Sequence, residues 1–501
     1  MKKVIIAAIS ILLTIVVVLG FVEEDNSEVN SYSYSDEIVY SMNTIPTNLE
    51  KITDISKREE DILCAISRGL VAKDSKGDII PILAESFEQR DDGIEYAFNL
   101  RTDIYWSDGT VIKAEDIRDF FKELIKSEDE NNIESLLDVY GALEFRNGTG
   151  TFEKGVAIST EDNILKIRLN KRNDNFLSDL TKIQYRIRKS LPLWRDMNGF
   201  YKDIIYSGEY YIKEMDKSNM ELDINPSIKQ AGAEKIIVTK DDNNEVAMAS
   251  FEVGKRDIIL DPPENELNRL ADEKKLLTYP SNEGIYLAIN EDNENLPLGI
   301  RSGVYKNICE ALSEYEGEFS KEFEVAEGSY FRDDKEDLTK LQSRKVSINQ
   351  GEDIIVPKEL NICAEENTLN KSIFEFLSTW FKKNKSIELN YSIVSHDELE
   401  ELKVNKKYDM LILRNENKIG DRESLYVNIN DILNEAEKNI FEKEKLEGEK
   451  SYSDLEMELF SEYRILPLGF LNENICISNK IENIKFDYNG NLDFSTINNE
   501  K

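Results

Sequence analysis

Apolar positions recur with a regular period along most of the chain, and the period changes from segment to segment. Residues 113–126 (KAEDIRDFFKELIK) put Ile117, Phe120, Phe121 and Leu124 on one face, which predicts an amphipathic helix. Residues 57–70 predict a second helix that buries Ile62, Leu63, Ile66 and Leu70. Residues 86–89 and 95–100 flank Asp91-Asp92-Gly93, a hairpin signal. Residues 73–78 read as a turn in which Gly77 supplies a positive φ. Pro81 assigns 79–83 to an edge or a loop. Strand character is also expected at 37–42, 165–169, 209–215, 235–239, 257–260 and 285–290, with a helix at 243–253.

After Pro297 the pattern changes. Residues 300–315 are helical, and 316–353 are acidic with little periodicity. Strands are then expected at 358–364, 387–393 and 408–413, with an amphipathic helix at 371–382 carrying Ile373, Phe374, Phe376, Leu377 and Trp380. Strand–helix–strand order predicts a parallel α/β sheet. A helix at 453–463, a strand at 466–471 and short β pieces complete the chain.

The first 22 residues form a block of their own. Lys2 and Lys3 precede nineteen uncharged residues, 4–22, followed by Glu23, Glu24 and Asp25. This is an export signal of marginal membrane-spanning length, with its basic end inside. No clear A-x-A cleavage site follows. The expectation is an uncleaved helix that holds the chain at the outer face of the bacterial cytoplasmic membrane; cleavage and secretion is the alternative. Residues 23–36, rich in Ser, Asn and acids, read as a flexible tether.

With 501 residues, 40% of them hydrophobic, the chain is long enough for two large cores. Its net charge of -36 repels a phosphate backbone, so nucleic acid is not an expected partner. That charge also fits general composition, since Lys, Glu, Asn and Ile all abound. The four cysteines, Cys64, Cys309, Cys363 and Cys476, form no CxxC pair and accompany a single histidine, His396. This leaves almost no room for a thiolate–imidazole zinc site. Each cysteine has apolar neighbours and reads as a buried small hydrophobe; a Cys309–Cys363 bridge stays open. No GxSxG, P-loop, HExxH or GxGxxG is present. Among 99 acidic residues a carboxylate pair carries no weight. No catalytic residue, metal or cofactor is therefore assigned. Trp106-Ser107-Asp108-Gly109 reads as a packed indole over a tight turn, with Asp108 bonding nearby backbone, and His396 as a surface residue.

The same Trp-Ser-Asp-Gly belongs to a longer series: Gly69-Leu70, Gly77, Pro81-Ile82-Leu83-Ala84-Glu85-Ser86, Asp92-Gly93, Leu100-Arg101, Trp106-Ser107-Asp108-Gly109 and Ala114-Glu115-Asp116. In order and spacing this series resembles the front of the family 5 extracellular solute-binding proteins, the oligopeptide- and dipeptide-binding receptors of ABC importers. Weaker echoes are Ser207-Gly208-Glu209-Tyr210, Tyr286-Leu287-Ala288-Ile289-Asn290, Tyr408-Asp409 and Ile465-Leu466-Pro467-Leu468. The resemblance implies an α/β fold of the periplasmic-binding-protein-like type II (cluster C) kind. This fold has two lobes joined by a hinge, with an extra β-rich subdomain in lobe one. Lobe one is expected at 37–279, with the β-rich part at about 71–190. Lobe two is expected at 280–455, a return to lobe one at 456–495, and a tail at 496–501. The implied function is capture of peptides, or a similar solute, by lobe closure and delivery to ABC permease subunits, as a monomer and without catalysis. A surface sensor or scaffold that kept the fold but lost import is the alternative.

Departures from the family pattern motivate that alternative. VVLGF looks like a lipobox with Phe21 at the lipid-accepting cysteine position. Residues 300–357 lack a clear form of the family's central lobe-two helix. Nine residues after Asp409, where many peptide receptors carry an acid for the ligand's α-ammonium, stands Lys418; the family's Trp position is Asn415. A shift of three residues would bring Asp421 into that place. Tyr286 near the lobe crossing and Asn415, Glu416, Asn417 and Lys418 on the lobe-two loop are the implied ligand contacts.

Overall fold

A computed structural model of the chain describes residues 37–499, apart from 54, 91–92, 229–231, 333–355, 417–421 and 448–451. The expected membrane segment, the tether and Phe21 lie outside the described residues. Among the described residues no helix is long and apolar enough to cross a membrane. The chain divides into two compact units, one drawn from 1–242, 250–258 and 478–501, the other from 243–249 and 259–477.

In the first unit, strand Glu37–Met42 pairs in parallel with Lys235–Lys240, which continues antiparallel to Asn219–Ile224 and then Tyr210–Met215. A four-stranded antiparallel sheet follows the order Ala84–Arg90, Glu95–Leu100, Ile164–Arg168, Ile158–Glu161. The expected hairpin is its first pair, with Arg90 opposite Glu95. Helix Ala114–Ser127 buries Ile117, Phe120, Phe121 and Leu124, the four residues its periodicity selects. Its first turn is tied down when the Lys113 N–H donates to Asp116 Oδ2 at 2.9 Å. Trp106 is fully buried and its indole N–H donates to the same carboxylate. Gly109 turns the chain at φ +82°, and Asp108 Oδ1 accepts from the Thr110 N–H at 2.9 Å, so this motif is architectural.

Helix Lys57–Ile66 opens on a capping box between Ser56 and Glu59 and ends four residues short of the expected 57–70. The cause is tertiary. Arg68 bridges Ile187, its N–H donates to Ser207 Oγ, and Gly208 passes so near that a Cβ there would lie 2.3 Å from the Ala65 carbonyl. Asp61, buried in this helix, accepts the Tyr40 hydroxyl at 2.9 Å and the Leu492 N–H at 2.7 Å. One carboxylate thus joins the first helix to the first and last strands of the unit. Short helices at Glu134–Leu137, Ala142–Arg146 and Phe152–Gly155 were not expected, because a single turn is too short to show a period.

The second unit is built on a sheet ordered Glu388–Val394, Glu359–Glu365, Met410–Glu416, Leu276–Ile289, Ile465–Ile477. The first three strands are parallel, as their strand–helix order predicts. Helix Thr368–Lys385 between two of them buries Ile373, Phe374, Leu377 and Phe381. Helix Leu298–Phe319 runs past the expected 300–315. Its Arg301 is buried and donates to the carbonyls of Leu296, Glu462 and Glu291, so it serves as a clamp for three chain segments. His396 is exposed at the start of helix His396–Val404. Helices Glu423–Asn428 and Glu435–Glu447 were not expected; the second is rich in Glu and Lys with few apolar positions to set a period. No disulfide joins any of the four cysteines, so Cys309 and Cys363 do not pair.

Candidate ligand-binding site

The loop singled out by sequence leaves the C-terminal end of strand Met410–Glu416. This strand runs antiparallel to Leu276–Ile289, with Tyr286 opposite Leu413, Gly284 opposite Asn415 and Glu283 opposite Glu416. Of the implied contacts, Asn417 and Lys418 lie outside the described residues, as does Asp421. Asn415 is buried and its side-chain oxygen accepts from Asn428 Nδ2. Glu416 is placed by its backbone pairing alone. Tyr286 is wholly buried.

The Tyr286 hydroxyl donates to the Tyr330 carbonyl at 2.7 Å, and the two rings stack at 6.3 Å. Tyr330 in turn donates to the Ile465 carbonyl at 2.6 Å. Gly284 allows this arrangement, because a Cβ there would sit 2.3 Å from the Tyr286 hydroxyl. The pairing with Ile465–Ile477 shifts register between Pro280 and Gly284 and again between Ile285 and Tyr286. Such irregularities re-aim side chains, and here they occur beside the predicted loop.

Several residues at this end of the sheet escaped the sequence reading. Arg414 grips Glu283 with two nitrogens, one of the contacts being 2.9 Å. Beyond the loop, the Arg422 guanidinium lies 4.9 Å from the Phe331 ring centroid and 3.7 Å from Glu456. Glu456 is buried and also accepts the Tyr426 hydroxyl at 2.6 Å. Burial first, and the Glu456 carboxylate second, hold the Tyr426 phenol well above its usual range, so it stays a neutral donor. Arg332 reaches Glu324 at 3.3 Å and Asn472 at 2.9 Å. Both flanks of 417–421 are therefore bound into a prearranged frame of aromatic rings and charge-assisted bonds. No local pattern could have revealed it: Glu283 and Arg414 are 131 positions apart.

A cavity of about 700 Å³ lies toward the other end of the same strand, lined among others by Asn290, Asn361, Lys406, Tyr408, Asp409 and Met410. Asp409 accepts from Asn293 at 2.9 Å and from Asn361 at 2.7 Å. The strand is seven residues long, so this cavity and the predicted loop are about 20 Å apart. Among the described residues no cluster of His, Cys, Asp or Glu could hold a metal ion.

Residues 78–302 match the model of the bacterial extracellular solute-binding proteins, family 5, middle part. Over these residues, a little under half of its length, the chain is similar to that family. The matched segment contains the Trp-Ser-Asp-Gly turn and the strand of Tyr286. A putative binding protein of Haemophilus influenzae is 23% identical over 264 residues, which is 52% of this chain and 46% of that one. The oligopeptide-binding protein SarA of Streptococcus gordonii is 26% identical over 236 residues, 44% of this chain and 35% of that one. The chain thus spans less than half the length of these curated relatives. The fold extends further: the Escherichia coli murein tripeptide binding protein MppA superposes with a TM-score of 0.64 at 16% identity, covering 93% of this chain and 98% of that one. The fold is therefore the periplasmic-binding-protein-like α/β type expected from sequence.

Proposed function

We propose that this chain is a family 5 receptor that captures peptides, or a similar solute, outside the cytoplasm and delivers them unchanged to the permease subunits of an ABC transporter. The observation that carries this reading is the family match over 78–302, which takes in Pro81 to Ser86, Trp106 to Gly109 and Ala114 to Asp116 in that order. The extracellular character of the family implies an extracytoplasmic place of work. The apolar stretch 4–22 would hold the receptor at the outer membrane face. Ligand is contacted by the loop from Asn415 through Glu416 and Asn417 to Lys418. Tyr286, with no exposed surface, pairs with the strand that leads into that loop and is held by its bond to Tyr330. Binding favours the closed form of the two-lobe receptor that the family resemblance implies.

Native mass spectrometry of the purified full chain, followed by calorimetry with defined peptide mixtures, tests the reading. One bound peptide or related solute per chain is expected, recovered chemically intact. Failure to bind any peptide by a folded sample, or turnover of a bound solute, would overturn it.

A further inference from the structure

Among the described residues the sheet of the second unit ends on strand Glu388–Val394, sequence ELNYSIV, which pairs there on one side only, with Glu359–Glu365. The pairing is in unbroken register from Glu388 to Val394. The Glu388 N–H donates to the Lys358 carbonyl at 2.8 Å, and the Val394 carbonyl accepts from the Glu366 N–H at 2.8 Å. Backbone groups alternate in direction along a strand, so 388, 390, 392 and 394 face the neighbour. Leu389, Tyr391 and Ile393 consequently turn both N–H and C=O to the open edge.

Soluble proteins blunt such edges with charge, proline, bulges or brevity. Other edges of this molecule are blunted. Tyr210–Met215 has a register shift between Ile212 and Glu214, with Lys213 at the break. Ala84–Arg90 has a shift between Ala84 and Ser86 and carries Glu85, Glu88 and Arg90. Ile158–Glu161 is four residues long. Glu388–Val394 has seven residues, no bulge, no proline and no charge after its first position.

Its flanks are of opposite sign. The last turn of helix Thr368–Lys385 carries Lys382, Lys383 and Lys385 just before the strand, and the first turn of helix His396–Val404 carries Asp397 and Glu398 just after it. We propose that this strand pairs antiparallel with the same strand of a second copy of the chain, about a two-fold axis at Tyr391, so that one sheet continues through both copies. Antiparallel pairing at that register brings the lysines of each copy to the acids of the other. Parallel pairing would set like charges together.

The register also matches side chains with backbone groups. Tyr391 faces Tyr391 of the second copy and Leu389 faces its Ile393, all in hydrogen-bonded pairs, so each copy donates three N–H groups and accepts three. On the opposite face of the sheet Asn390 meets Ser392, and Glu388 meets Val394, with no like charges opposed. A single strand pair is a small interface, and each copy carries a net charge of -36, so the association is weak and reversible. The monomer expected from sequence is then one partner of a concentration-dependent equilibrium.

Sedimentation of the full chain in detergent, from about 1 to about 100 µM, tests this. The mass is expected to rise from one chain toward two. Tyr391→Pro deletes an outward N–H that pairs with none of the described strands, and should weaken dimerisation at least about tenfold. The ring of Tyr391 packs 5.4 Å from Phe374, so a variant away from the core is needed as well. Asp397→Lys with Glu398→Lys should weaken the dimer, and adding Lys382→Glu, Lys383→Glu and Lys385→Glu should restore it. A single-chain mass at every concentration overturns the proposal. So does a dimer equally strong in the Tyr391→Pro and Asp397→Lys/Glu398→Lys chains.

Discussion

Tyr286→Phe separates a supporting residue from a ligand contact. The substitution keeps the ring, its stacking on Tyr330 and its burial, and removes one hydroxyl. That hydroxyl donates at 2.7 Å to a buried carbonyl. Its loss forfeits a net bond of about 1 kcal/mol and leaves the Tyr330 oxygen without this donor, which together cost about 2 kcal/mol. For a unit of this size that lowers the midpoint of thermal unfolding by about 4–8 °C. The unit can be observed selectively, because Trp106 and Trp194 lie in the first unit and Trp380 in the second. Thermal unfolding should therefore be followed by emission changes that a Trp380→Phe control removes. In parallel, the affinity for a captured peptide should change less than about threefold at temperatures where both proteins are folded. A midpoint shift below about 1 °C would refute the energetic reasoning. A tenfold loss of affinity in a chain of unchanged stability would show that Tyr286 touches ligand directly.

Further predictions rest on separate features. Asp61→Ala removes the acceptor of both Tyr40 and Leu492, so it should cost about 2–4 kcal/mol in urea unfolding of the first unit, read at Trp106 and Trp194; a cost under about 0.5 kcal/mol would contradict that role. Burial, and to a lesser degree the Glu264 carboxylate, push the Glu322 carboxyl up to about 7. Its folded pKa lies above its unfolded one, so the stability it contributes is full below about 4.5 and is lost as pH rises toward about 7. Glu322→Gln should then stabilise the second unit at pH 8 by about 1–2 kcal/mol, allowing for the group's partial exposure, and change little at pH 4; equal effects at both pH values would disprove the titration. Lys418→Asp should strengthen binding of peptides with a free α-ammonium by about tenfold and leave N-acetylated peptides unaffected, as calorimetry would reveal; equal effects on both would exclude contact between residue 418 and the ligand's amino end.

Much of the architecture was already present in the one-dimensional pattern. The buried face of Ala114–Ser127, the hairpin around Gly93 and the parallel order of Glu359–Glu365, Glu388–Val394 and Met410–Glu416 follow from period, turn residues and short connections, all of them local. The Trp106 turn followed for the same reason, since the bonds that shape it, from the Trp106 indole to Asp116 and from the Thr110 N–H to Asp108, are local, although distant Tyr206 also bonds Ser107. The frame around the candidate loop is of another kind. Sequence pointed to the end of strand Met410–Glu416 but not to Glu283, Tyr330, Phe331, Arg422 or Glu456.

Tertiary packing settled what local forces leave open. Helix Lys57–Ile66 stops where Gly208 and Ile187 arrive, although its own residues would permit another turn. Arg301 and Arg464 look like surface charges in sequence, yet both are buried because carbonyls from distant segments converge on their guanidinium groups, with Glu437 beside Arg464. Residue type and spacing dictate which side of an element avoids water. Which distant donor meets which acceptor depends on how the elements pack, and no short-range rule encodes that.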